Sequence, residues 1–170
     1  MKSLKHQVGM SIIEFTLLAT AVMLVMFGVI EVGRYVYSVQ VINEMTREAA
    51  RLGVVCHVSD QNDIPALVIH DNAPVGFTAD NITIEYLNQS GNTVTLDASM
   101  DEDEYNSLYG TIKFVRASVS GYQYQMIGFM SFLTADGWIQ VPLMETTLPV
   151  ETLGVVRPTT SHPEERHTDC

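Results

Sequence analysis

Apolar residues crowd one end of this chain. From Met10 to Gly33 the sequence MSIIEFTLLATAVMLVMFGVIEVG is almost continuously hydrophobic, and it carries no charge between Phe15 and Ile30. Extended across Glu14 and Glu31, the run reaches the ~20 residues that a helix needs to cross ~30 Å of hydrocarbon. The pattern then changes. Val39, Ile42, Met45, Ala49 and Leu52 recur at three- and four-residue steps, which predicts that the same helix continues with one apolar stripe facing an outer domain. Arg47 and Arg51 crowd its last turn, and Gly53 follows as the expected cap. One rod from Met10 to Leu52, about 65 Å long at ~1.5 Å per residue, is the first expectation.

Beyond Gly53 the period shortens. Val54-Val55-Cys56-His57-Val58 is short and β-branched, and residues 64–70 read as a short helix or turn-rich segment. Residues 81–87 alternate as a strand, and Gln89-Ser90-Gly91-Asn92 turns the chain into residues 93–96, so the two predict a hairpin. Residues 110–119 are the longest strand candidate, with Ile112, Phe114, Ala117 and Val119 turned inward, and a further strand is expected over residues 139–147. The run MIGFMSFL, residues 126–133, is too short to span a bilayer and reads as a core or subunit-contact segment. The expected fold class is α+β, a long N-terminal helix packed on a small antiparallel sheet.

Charge sharpens the division. The chain has 9 basic and 20 acidic residues for a net charge of -11. Without residues 1–9, which hold Lys2 and Lys5, 7 basic residues face 20 acidic ones and the balance is -13. Such a surface repels nucleic acid, and no basic patch interrupts it. With the lysines before the apolar run and the acidic mass after it, the positive-inside rule puts the start in the cytoplasm and the remainder across the membrane. The expected organisation is a leader at 1–9, a membrane helix at 10–33, its amphipathic continuation at 34–53, an outer α+β domain at 54–156 and a polar, disordered tail at 157–170.

The start of the apolar run decides among three kinds of segment. Ala19-Thr20-Ala21 offers a small-x-small site, but the run continues past it to Ile30 and opens on Glu14, unlike a secretory signal. A plain signal anchor accounts for the run and the lysines, yet gives no reason to keep a carboxylate at the membrane segment. Gly9, four residues, then Glu14-Phe15 form a GxxxxEF pattern. This resembles the leader of type IV pilins and pseudopilins, which a prepilin peptidase cuts after the glycine. Cleavage there implies a new α-amino group on Met10 and, one helical turn on, a carboxylate on the same face. Glu14 then neutralises the ammonium of its own chain or a neighbour and penalises insertion in the wrong register.

Further motifs narrow the resemblance. Gly28-Val29-Ile30-Glu31-Val32-Gly33-Arg34-Tyr35 and Arg47-Glu48-Ala49-Ala50-Arg51-Leu52-Gly53 resemble the TadE-like family of the Flp (Tad) tight-adherence pilus machinery, and residues 146–154 do so more loosely. The resemblance implies a pseudopilin or minor pilin with a pilin-like fold, single-pass in a bacterial inner membrane with its C-terminal domain periplasmic. It implies as partners the prepilin peptidase, other pilins or pseudopilins and inner-membrane platform proteins. The size of the outer domain favours a minor over a major subunit. The residues alone agree at the membrane exit: Glu31 and Arg34 can pair on one helix face, and Tyr35 and Tyr37 suit the interface.

Little else carries chemistry. Asp101, Glu102, Asp103 and Glu104, with Asp97 nearby, are the one calcium candidate, against the plainer reading of a solvated acidic loop without EF-hand spacing. Cys56 and Cys170 allow one disulfide in an oxidising compartment, or two free thiols. The histidines lack metal-ligand spacing, and no nucleophile motif is present. The expectation is therefore a non-enzymatic protein with no cofactor, no small-molecule substrate and no nucleic-acid partner. A signal-anchored binding or sensor domain of the cell envelope is the rival from another class.

Overall fold

The computed structural model describes residues 8–97, 99–134, 136–156, 166–167 and 170. Helix α1, Val8–Val55, opens the fold. After it come a 3-10 turn at Val58–Asn62, the short α2 at Ile64–Leu67 and a second 3-10 turn at Ala79–Asn81. Next are β1 (Ile82–Asn88), β2 (Thr93–Val94), α3 (Glu102–Tyr109), β3 (Ile112–Val119) and β4 (Gln123–Gln125). A 3-10 segment at Gly128–Leu133 leads to β5 (Trp138–Gln140), β6 (Met144–Pro149), β7 (Val155–Val156) and β8 (Arg166–His167). The main sheet has the order β2-β1-β3-β6 and is antiparallel throughout; β4-β5 and β7-β8 form two small ribbons. The arrangement is α+β.

Along α1 the burial changes character at one residue. From Ile12 to Ile30 the large apolar side chains are exposed, Phe15 at 72% and Val29 at 69%. From Glu31 onward one face turns inward, with Ser38, Ile42, Met45, Thr46, Ala49, Ala50 and Val54 buried at helical spacing. That face packs on the sheet through Ile84, Tyr86, Val115, Ala117 and Val119. Fully burying a side chain of this size stabilises by roughly 1.5–3 kcal/mol, so the outer half of the helix is held by packing. In its inner half the large apolar side chains are exposed instead.

Several elements depart from their sequence patterns for identifiable reasons. The helix passes Gly53, which is no cap but a point of close approach. A Cβ there would lie 2.8 Å from Val115 Cγ1 and 3.3 Å from Ile84 Cγ2. Val54 and Val55 are helical despite their β-branching, because burial of Val54 outweighs a propensity worth only tenths of a kcal/mol. In β3 the inward set is Ile112, Val115, Ala117 and Val119, and Phe114 lies on the other face. The pairing skips a residue between Leu87↔Phe114 and Asn88↔Ile112, and this bulge reverses the side-chain phase. The strand expected at residues 139–147 is two strands in different sheets, since Pro142 cannot donate to a ladder. The acidic residues 101–104 are not a loop: Asp101 caps α3, accepting from the Glu102 N–H, and Glu102, Asp103 and Glu104 fill its first turn, where anions favour the helix dipole.

Most of the tail from residue 157 lies outside the described residues. At its described points it is held: β8 pairs with β7, and Cys170 is disulfide-bonded to Cys56, Cα to Cα 5.7 Å. The Cys170 N–H donates to Asp60 Oδ2 at 3.0 Å and holds that carboxyl below the usual range. Among the described residues one buried side-chain polar atom is unsatisfied. Tyr86 is 1% exposed, and its hydroxyl has no hydrogen-bond partner among the described residues. Tyr86→Phe is therefore expected to raise the midpoint of equilibrium unfolding, by a gain of roughly 1 kcal/mol.

Candidate functional site

The site forms where α1 leaves its exposed apolar stretch. Glu31 is only 4% exposed, and three donors converge on its carboxylate. The Tyr124 hydroxyl donates to Oε1 at 3.0 Å, the Ile127 backbone N–H donates to the same oxygen at 3.2 Å, and Arg34 Nη1 donates to Oε2 at 3.2 Å. A buried carboxylate without partners would be destabilising by several kcal/mol, so these contacts permit the charge where it stands. Tyr124 is the hub. Its ring meets Tyr35 edge-on with centroids 5.3 Å apart, and the Arg34 guanidinium carbon lies 5.8 Å from its centroid. Burial, and then the bond to Glu31, push the Tyr124 hydroxyl up to about 12, so it remains a proton donor at neutral pH.

Sequence order explains the helix side of this cluster. Glu31, Arg34 and Tyr35 are three and four residues apart and share one face. Residues 9–51 match the family model described as TadE-like protein. The matched TadE-like segment, a quarter of the chain, thus takes in both the GxxxxEF start and the Glu31–Arg34 exit pair. No curated protein and no solved structure matches the chain. The TadE-like match suggests a Tad pilus-related role among membrane-associated components of that system, and α1 fits a single-pass membrane anchor.

Other residues of the TadE-like segment fall into distinct settings. Gly9 and Met10 lie in the first turn of α1, and Glu14 and Phe15 are exposed one turn on. Gly33 faces open space, with no atom within 4 Å of where a Cβ would stand. Glu48 Oε2 meets His70 Nε2 at 2.7 Å, a contact across 22 residues that no local pattern announces. Arg47 and Arg51 are exposed on the outer face of the helix.

Outside the TadE-like segment, Asp97 accepts from the Ser99 N–H, and Asp101 to Glu104 form the start of α3. Among the described residues no group of three or more His, Cys, Asp or Glu side chains is placed to hold a metal ion. Tyr124 and Ile127 escaped the sequence reading. The alternation in Tyr122-Gln123-Tyr124-Gln125 marks a strand, but nothing local ties it to a carboxylate 93 residues earlier.

Proposed function

We propose that this protein is a pseudopilin or minor pilin of a Tad/Flp pilus, cut after Gly9 by a prepilin peptidase and acting in fibre assembly at initiation, base or tip. It works by interaction rather than turnover. The observation that carries this reading is the exposed, charge-free helix that follows Gly9-x-x-x-x-Glu14-Phe15 within a TadE-like segment. An apolar surface of this size needs lipid before assembly and neighbouring helices after it. Glu14, exposed four residues from Met10, is available to the ammonium that cleavage would create.

The disulfide supports the orientation. A bond between Cys56 and Cys170 belongs to an oxidising compartment, so the outer domain is periplasmic while Lys2 and Lys5 remain on the cytoplasmic side. Its partners are then the peptidase, other pilins and the platform proteins of the inner membrane.

N-terminal sequencing of the protein extracted from membranes tests the proposal. A start at Met10 is expected, and Gly9→Leu is expected to leave uncut precursor, because a bulky side chain obstructs the peptidase. An intact Met1 on the wild-type protein would favour a signal-anchored envelope domain instead.

A further inference from the structure

The segment joining β4 to β5 runs down the side of α1. Tyr124 packs on Tyr35, Ile127 donates to Glu31, and Met130, 5% exposed, has its Cε 3.9 Å from where a Cβ on Gly28 would stand. Between the levels of Tyr35 and Gly28 the chain descends seven helical residues, about 10 Å at ~1.5 Å per residue. Gly28 lies inside the charge-free run that ends at Ile30. A span of ~20 residues counted from Phe15 reaches Arg34, so the bottom of this loop sits at or below the outer edge of the hydrocarbon.

Its composition suits that depth. Residues 126–133 read MIGFMSFL, with no charge. Trp138, the sole tryptophan, is 45% exposed on β5, paired with Gln125 one residue above the loop. Tyr37, 56% exposed, stands at the same end of the span, and Arg34 keeps about half its side chain exposed. A tryptophan, a tyrosine and an arginine above a short apolar segment are the residues that anchor proteins at the headgroup layer.

We propose that residues 126–134 are a second membrane contact, a wedge lying in the outer interfacial layer of a phospholipid bilayer beside α1, with Trp138 at headgroup level. The Glu31 cluster then closes the polar groups at the top of the wedge, so that Ile127 brings no unpaired N–H into the interface. Two contacts fix the tilt and rotation of the outer domain over the membrane, where a single helix would leave the domain free to turn. The inference rests on the reading of α1 as a membrane helix.

The full-length protein in phosphatidylcholine–phosphatidylglycerol vesicles, at one chain per vesicle, provides the test through the fluorescence of Trp138. Lipids brominated near the headgroup are expected to remove most of the emission, lipids brominated near the chain end to remove little, and aqueous iodide to quench weakly. Emission quenched by iodide and untouched by brominated lipid would overturn the wedge, as would emission untouched by both. A chain that fails to float with the vesicles would instead overturn the membrane reading of α1, which separates the two failures.

Discussion

Gly154→Ala is expected to destabilise the folded domain by about 2–5 kcal/mol, the sum of a left-handed backbone penalty and a steric overlap. Gly154 has φ +77°, and it follows Leu153 at φ +47°, so two consecutive residues are left-handed. A Cβ on Gly154 would lie 2.5 Å from the His57 nitrogen, 2.6 Å from its Cα and 2.9 Å from the Cys56 carbonyl carbon. All three are backbone atoms and cannot swing aside. The turn ties the end of β6 to the end of α1: the Leu153 N–H donates to the Val54 carbonyl at 3.1 Å, and the Tyr109 hydroxyl donates to the Leu153 carbonyl at 3.1 Å. Opening it also strains the neighbourhood of the Cys56–Cys170 bond.

The unfolding midpoint of Gly154→Ala in detergent should fall by roughly 10 °C, taking ~2–4 °C per kcal/mol for a chain of this size. Gly121→Ala is the comparison. Gly121 shares the positive φ, +74°, but a Cβ there would meet only Asn81 Nδ2 at 3.9 Å. It should show the backbone penalty alone, about 1–2 kcal/mol. Equal losses in the two variants would refute the steric account.

The second large effect is expected from Glu31→Ala. Removing the carboxylate strands the Tyr124 hydroxyl and the Ile127 N–H where both are shielded, and releases Arg34 from its partner. Breaking a fully buried pair destabilises by about 3–5 kcal/mol; with Arg34 half exposed, roughly 2–4 kcal/mol is expected here, because exposed charge is resolvated. Glu31→Gln should retain an acceptor for Tyr124 and Ile127 and lose only about 1 kcal/mol. Thermal unfolding of the three proteins in the same detergent orders them. If the alanine variant melted with the wild type, the cluster would not be what holds the β4–β5 ribbon on the helix.

How much of this could be read beforehand follows from the range of each interaction. The β1–β2 hairpin was legible from alternation around Gly91, and the structure pairs Tyr86 with Val94 and Leu87 with Thr93. The Glu31–Arg34 pair was legible because both lie on one helix face. The phase of β3 was not, since a bulge depends on how the neighbouring strand pairs, and Phe114 looked inward until Leu87 was placed opposite it. The glycine at 53 carried a recognisable local signal, the end of an amphipathic stretch, with the wrong meaning. Its true constraint comes from Val115 and Ile84, on strands formed later in the chain.

By itself the sequence determined a helix that fits a membrane anchor: a charge-free run of bilayer length, the GxxxxEF start, and the continuation of the helix toward an outer domain. These are properties of contiguous residues, whose chemistry acts over one or two helical turns. Only the tertiary structure decided why a carboxylate survives where α1 leaves its exposed apolar stretch, why glycine stands at 53 and 154, and which loop runs down the side of α1 toward Gly28. Each of those depends on contacts between residues far apart in the chain, 93 and 96 positions apart at the Glu31 carboxylate. No local pattern encodes which distant group arrives to meet a buried charge or a missing side chain.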